Sequence, residues 1–566
     1  MLQFAAREYI LINMSRSVCY AAALLFAGSA IFAAQLRAAQ YYNDWAASHF
    51  SGNPAQAGPT NDPDGDGDVN VVEFAFGTDP LVAGANADNV VPQFGSRSGT
   101  NGIFSVAIFE RAGHQPGVQI DLWLASAIKS TNWFRPWWQR TATNSLPGDP
   151  AGSLREIFST RLPGTNAWFV QTSVRLIDSG FTNATYYVAT NGSDSNAGSS
   201  NAPFASLAKA ASLANPGNLI YLRAGTYAVS STISLSRNGT PTQPILVRPF
   251  PGENVLFNFS GEATGSDGIS ISGDCWRVYG LETTNAGHNG IRFSGASNIV
   301  ERCVVHDSRN TGIHITGDTN TSYNLVLNCD SYHNYDAPTH GQNADGFTAK
   351  WVFGPGNVFS GCRAWENADD GWDLWMGTNT VVITNCWAFR MGTNIFGDTA
   401  WQGNGNGFKL GGNYVGTPHR LVRCLSFANM ANGVDQNNNI AGQTVDNNTS
   451  WANRGANFQL NHGTNTTPHV IRNNLSYAGR SSDSFRSGSL VTNNNWQVVS
   501  PTASDGDVLS VDYSLATGPR RDDGGLPELP FVRPIPTGRL VDKGVKTGDP
   551  FTGTAPDIGA YESPEW

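Results

Sequence analysis

Charge is scarce in this chain. Only 14% of its 566 residues are Asp, Glu, Lys or Arg, and the 35 basic residues are outnumbered by 45 acidic ones, for a formal charge of −10. That balance offers no basic field to a nucleic acid, although a bound divalent cation can reverse the field locally and admit an anionic ligand. Long apolar runs are nearly absent as well. One stands out, CYAAALLFAGSAIFAA from Cys19 to Ala34, and it is shorter than the roughly 20 residues of a spanning helix. No membrane domain is expected. Helix-forming residues in periodic runs are also few, which argues against a helical core. Cysteine is limited to seven positions, one of them inside that apolar run.

What is abundant points to β structure: 62 glycines, many Asn, Ser and Thr, and 11% aromatics. Met14, followed by Ser-Arg, the apolar run and small residues through Ala39, has the form of an export leader. Residues 1–39 are assigned to it, and the mature protein is expected to be exported and monomeric. Residues 62–73 read DPDGDGDVNVVE, placing Asp62, Asp64, Asp66, Gly67, Asn70 and Glu73 at positions 1, 3, 5, 6, 9 and 12 of a calcium loop. A structural calcium held by Asp62, Asp64, Asp66, Asn70 and Glu73 is expected within an EF-hand-like segment, 40–85. Short alternating runs such as IFSVAIFE and VQIDLWLA mark 86–182 as a small β-sandwich-like domain. Its aromatic cluster NWFRPWW, Asn132 to Trp138, is read as strand aromatics.

From about residue 183 the texture changes to short strands rich in Asn and Gly, and a repeat emerges. Cys303 precedes Gly312 by nine residues, and the same spacing links Cys362 to Gly371 and Cys424 to Gly433. Two further units, Cys329 to Gly346 and Cys386 to Gly407, fit once insertions of eight and twelve residues are allowed. Short strands at a period of twenty-odd residues predict a parallel β-helix over 183–566, in which stacked turns share one core. The repeating cysteines then form an internal column of free thiols rather than disulfides. Asn334, Asn367, Asn429 and Asn453 form a second column, an asparagine ladder at a turn.

The stretch ENADDGWDLW (366–375) sets three carboxylates within five residues, which repel unless a cation lies among them. Alignment on Gly312, Gly346, Gly371, Gly407 and Gly433 makes the next position apolar throughout: Ile313, Phe347, Trp372, Phe408, Val434. Strand alternation turns that column inward, so Trp372 is core. The column after it faces outward and reads His314, Thr348, Asp373, Lys409, Asp435, while the column before glycine holds Asp345 and Asp370. Asp345, Asp369, Asp370 and Asp373 therefore converge, and an all-oxygen set suits Ca²⁺. Zinc lacks the Cys or His ligands it prefers. Lys409 lies one turn on from Asp373. In a polyuronate, a calcium at the C6 carboxylate acidifies the C5 proton, and a neutral lysine can remove it. An alkaline optimum follows from the usual lysine pKa of about 10.4.

The stretch from Asn343 to Trp375, NADGFTAKWVFGPGNVFSGCRAWENADDGWDLW, followed by GNGFKLGG (405–412), resembles polysaccharide lyase family 9. The likeness extends over about 184–566, from YYVATNGSDSNAG to APDIGAYE. It implies a right-handed parallel β-helix and a pectate or exopolygalacturonate lyase. It also implies a catalytic calcium on Asp345, Asp369, Asp370 and Asp373, with Lys409 as base and polygalacturonate or pectin as substrate. Three alternatives stay open: a lyase for another uronic-acid polymer, a hydrolase using the aspartates as acid and base, and a non-catalytic carbohydrate-binding β-helix. Asn343, Lys350, Arg363, Arg390, Arg420 and Asp435 are candidates for contact with substrate.

Overall fold

The computed structural model describes residues 184–563 apart from 251, 462–466, 522–523, 550 and 552. Ahead of these it describes positions 56 and 63 and six strands between 93 and 176. The export leader, the calcium-loop residues Asp62, Asp64, Asp66, Asn70 and Glu73, and the NWFRPWW cluster lie outside the described residues. The chain divides into two units at Thr182/Asn183. In the first, Gln93–Phe94, Ile103–Arg111, Ser153–Arg161 and Gln139–Asn144 form one antiparallel sheet in that order. Val118–Ala125 and Phe169–Leu176 form a separate antiparallel pair.

The second unit is a right-handed parallel β-helix. Each turn contributes three short strands, for example Asn357–Ser360, Arg363–Trp365 and Trp372–Asp373. Equivalent strands of successive turns pair in parallel into three sheets of 12, 10 and 10 strands. Strands this short bury little by themselves; the stack supplies the rest. Phe347, Trp372 and Phe408 occupy one inward register and stack with ring centroids 4.6 and 4.9 Å apart, all fully buried. The expectation that Trp372 is core holds.

Two ladders line the corners between sheets. In the first, the backbone N–H of Ser308 donates to Asn334 Oδ1, that of Asn334 to Asn367 Oδ1, that of Met391 to Asn429 Oδ1, and that of Asn429 to Asn453 Oδ1, at 2.9–3.1 Å. Met391 takes the rung between Asn367 and Asn429, where the sequence column has a gap. The residue before each rung is left-handed: His333, Glu366, Arg390, Ala428 and Ala452 have φ of 53, 50, 56, 54 and 52°. Such backbone costs a non-glycine residue about 1 kcal/mol or more. The ladder fixes it by satisfying the corner's amide groups.

The second ladder is made of thiols. The N–H groups of Cys329, Cys362 and Cys386 each point at the sulfur of the next cysteine, 3.4–3.5 Å away, ending on Cys424. Cys424, Asn448 and Asn474 then donate to the asparagine of the following turn. All six cysteines from Cys275 to Cys424 are free and buried. Cys275 stands apart from the column, at the start of strand Trp276–Tyr279, because its turn places it at a different corner. Short helices accompany the coil: Leu207–Leu213, capped by Ser206 Oγ, packs on Ile233–Leu235. No helix among the described residues is long and apolar enough to cross a membrane.

Candidate functional site

One sheet carries the site. Its outward register runs Arg292, His314, Thr348, Asp373, Lys409 and Asp435, each directly paired with the next in successive turns. Alternation leaves their inward neighbours, such as Phe347, Trp372 and Phe408, in the core. Asp345, Asp369 and Asp370 sit at the corner leading into this sheet. One oxygen from each of Asp345, Asp369, Asp370 and Asp373 lies within 4.8 Å of those of the others, and all four residues are buried. The outward column and the corner column thus meet where the sequence alignment put them.

Backbone and amide donors hold one oxygen of each carboxylate. Asp345 Oδ1 accepts the N–H of Asp370 at 3.2 Å, and Asp369 Oδ1 that of Asn404 at 2.6 Å. Asp370 Oδ1 accepts from Asn406 N and Nδ2 at 2.8 and 2.9 Å, and Asp373 Oδ1 from Trp375 N at 2.9 Å. The Oδ2 atoms of Asp345, Asp370 and Asp373 turn toward two ammonium groups instead. Lys409 Nζ lies 3.0 Å from Asp370 Oδ2 and 3.2 Å from Asp373 Oδ2. Asp370 Oδ2 makes no hydrogen bond even so, because the Lys409 ammonium is close without being aligned to it.

The second ammonium is Lys350. Its Nζ lies 2.8 Å from both Asp345 Oδ2 and Asp373 Oδ2, with the residue only 8% exposed. Lys350 therefore belongs to the charge balance of the cluster and not to an outer substrate surface. Arg363 is likewise removed from the candidates for substrate contact. It is buried, forms a two-pronged pair with Asp330, and donates to the carbonyls of Ala516 and Gly518. Arg390 is paired with Glu366. Asn343 bonds to Asp336 and Thr339 within its own loop.

The electrostatics follow from burial and proximity. Burial pushes Asp345 up to about 7, with Lys350 only partly offsetting it. Burial and then the Asp370 and Asp345 charges push Asp369 well above the usual carboxylate range. Asp370 is also raised by burial, against the pull of Lys409. For Asp373 burial is outweighed by Lys350 and Lys409, which hold it low. Both lysines rise despite burial, Lys350 through Asp345 and Asp373, and Lys409 mainly through Asp370 and Asp373. Two ammoniums do not balance four buried carboxylates. The donor set is entirely carboxylate oxygen, rigidly anchored, with Asp370 Oδ2 unsatisfied, and so it fits a hard divalent cation such as Ca²⁺.

The two insertions seen in the sequence pack on each other, and the second reaches the cluster through Asn404. Tyr335 stacks on Phe396 at 4.7 Å, and both Tyr335 Oη and His340 Nδ1 bond to Asp398 Oδ2. The N–H of Gln402 donates to the carbonyl of His340, and two residues later Asn404 grips Asp369.

A family model described as the Pel9A-like right-handed β-helix region matches residues 186–474. Pectate lyase L of Dickeya dadantii (strain 3937) is 43% identical over 394 residues, covering 67% of this chain and 90% of that protein. Among solved structures, that of pectate lyase Pel9A is similar at 42% identity and a TM-score of 0.62, over 67% of this chain and 96% of that one. A solved rhamnogalacturonan lyase is similar at 26% identity and a TM-score of 0.56, over 62% of this chain and 97% of its own.

Proposed function

The chain belongs to the Pel9A-like β-helix family, polysaccharide lyase family 9, and from that membership and the acidic cluster we propose that it is a calcium-dependent pectate lyase. It cleaves polygalacturonate by β-elimination, with Asp345, Asp369, Asp370 and Asp373 as calcium ligands and Lys409 as base. The observation that carries this reading is the position of Lys409. It stands one turn beyond Asp373 on the same outward column, with its Nζ against two of the four carboxylates. When bound, calcium supplies Lewis-acid neutralisation of a uronate C6 carboxylate, which acidifies the neighbouring C5–H.

Lys409 takes the C5 proton onto Nζ. The electron pair left behind forms the C4–C5 double bond, and the C4 glycosidic oxygen departs with its bonding pair. Lys409 must be neutral to act. The four carboxylates hold its ammonium protonated while their own charge is uncompensated, so its basicity depends on that charge being balanced. Asn404 and Asn406 hold Asp369 and Asp370 from the turn that also carries Lys409, so one turn positions the base and anchors two of the ligands.

The test is ultraviolet absorbance of the unsaturated product from polygalacturonate, with calcium, with chelator, and for Lys409→Ala. Absorbance that depends on calcium and on Lys409 is expected. New reducing ends without absorbance would mean a hydrolase. A second polymer is favoured by the similarity to a rhamnogalacturonan lyase, and a rise on rhamnogalacturonan but not polygalacturonate would select it. Export rests on the leader at 1–39 and is tested by N-terminal sequencing of the secreted protein. A structural calcium in 62–73 is proposed on its loop spacing alone and is tested by calcium stoichiometry after truncation at residue 85.

A further inference from the structure

On the N-terminal side of the cluster, the same outward column continues through Thr348 and His314 to Arg292. Trp351 lies over it. This residue is 46% exposed, the one tryptophan among the exposed large hydrophobic residues described, and it adjoins Lys350, whose ammonium enters the cluster. Its backbone is left-handed, with φ of 60°, and is tied to the next turn through the carbonyl of Trp375 and the N–H of Thr378. That conformation turns the indole back onto the His314 ring of the preceding turn, with centroids 5.4 Å apart and planes 29° apart. One indole face is therefore backed by a ring, and the residue's exposure leaves the other side to solvent.

His314 is 3% exposed, and neither ring nitrogen has a hydrogen-bond partner; Thr348 Oγ1, on the adjacent turn, has none either. Each such group costs about 1–3 kcal/mol, and a purely structural column would fill these positions with apolar residues. Burial, then the charges of Lys350 and Arg292, hold the imidazole neutral, with its pKa near 3. One turn before His314, Arg292 is 36% exposed at its side chain, and Asp267 is its ion-pair partner, at 3.8 Å. Asp267 is itself already engaged through its other oxygen by His288 and Asn289.

We propose that Trp351 and Arg292 form a sugar subsite on the N-terminal side of the acidic cluster. The exposed indole face takes a pyranose ring, and the guanidinium takes a uronate carboxylate. With turns about 4.8 Å apart, Arg292 lies three turns from Asp373, and an acidic polysaccharide laid along the helix axis spans both. Aromatic faces and arginine forks suit these two parts of a uronic-acid chain. The proposal rests on the lyase reading for its substrate class.

The experiment uses the full chain carrying Lys409→Ala, to prevent turnover, titrated calorimetrically with hexagalacturonate in calcium. Trp351→Ala is expected to weaken binding about tenfold, equivalent to 1.4 kcal/mol, while Trp351→Phe retains most of the affinity. Arg292→Ala is expected to weaken it several-fold at low salt, with the difference shrinking as salt rises. Calcium affinity and unfolding temperature are measured on the same variants. Unchanged hexagalacturonate binding by Trp351→Ala overturns the subsite. So does a loss that parallels a loss of calcium affinity, which would make Trp351 a support of the cluster. If the parent itself binds no uronic-acid oligomer, the lyase reading falls, a result distinct from failure of the subsite alone.

Discussion

Replacing Lys350 by methionine keeps most of the length of the side chain and removes its charge from the middle of the cluster. Its Nζ lies 2.8 Å from two carboxylate oxygens, and at an effective dielectric of about 20 each contact has a gross Coulomb energy of about 6 kcal/mol. Most of that is offset by desolvation, and breaking a buried ion network by removing one partner costs about 3–5 kcal/mol. The lower end applies at neutral pH, since Asp345 already titrates near 7 and can take up a proton in place of the lost ammonium. In chelator, Lys350→Met is expected to unfold a few degrees lower than the parent. In calcium the order of effects reverses. At a pH above the Asp345 value, where that proton is lost, four carboxylates and two ammoniums leave the site at −2 and without Lys350 at −3, so calcium binds about tenfold more tightly and returns more stability by mass action. The assay is thermal unfolding in chelator and across a calcium series, with calorimetry for the affinity. Equal unfolding in chelator, or weaker calcium binding by the variant, would refute the view that Lys350 is the cluster's internal counter-ion.

Lys409→Ala should lower the rate of unsaturated-product formation by about 10²–10⁴-fold, the range for loss of a general base, while calcium titrations still show a bound ion. Asn429→Ala removes four hydrogen bonds donated by Asn429 Nδ2 or accepted by its Oδ1, from Met391 and to Ala388, Ser426 and Asn453. It should cost about 2–4 kcal/mol in denaturant titration; a cost below 1 kcal/mol would mean that the ladder is not what secures its corners. His419 is fully buried, accepts the N–H of Val381 at Nδ1, and is held by burial at a pKa of about 3. Because its unfolded value is about 6.5, its contribution is complete above that pH and is lost as pH falls from about 6.5 toward 3, at up to about 1.4 kcal/mol per pH unit. His419→Asn keeps an acceptor and does not titrate, so the slope of stability against pH between 6.5 and 4 should fall by about that amount; an unchanged slope would contradict the assignment.

The strand-borne part of this molecule was legible because a β-helix converts sequence spacing into vertical alignment. Glycines nine residues after cysteines set a common origin, and the inward and outward columns followed by alternation. Trp372 in the core and Asp373 beside Lys409 were placed in that way. The asparagine ladder was legible for the same reason, up to the turn where Met391 occupies a rung. Cys275 lies outside the repeat in the sequence, where its turn lacks the spacing to glycine that defines the column, and outside the column in the structure.

What spacing did not expose is the corner that follows the site-bearing strand. Lys350 and Trp351 follow strand Phe347–Ala349, where the period of two ends and a left-handed residue reverses the chain. A side chain leaving such a corner is aimed by a single φ angle, and a lysine or tryptophan is long enough to reach a neighbouring turn. Lys350 reaches forward to Asp373 in the next turn, whereas Trp351 reaches back to His314 in the one before. These two consecutive residues couple the acidic cluster to the surface beside it, and neither lies on any column. Here the aligned columns carry Asp345, Asp370, Asp373 and Lys409, with Asp369 beside them, while the corner that follows the strand sets their charge balance and their neighbours. Substitutions at Lys350 and at Trp351 should therefore shift calcium affinity and substrate affinity separately.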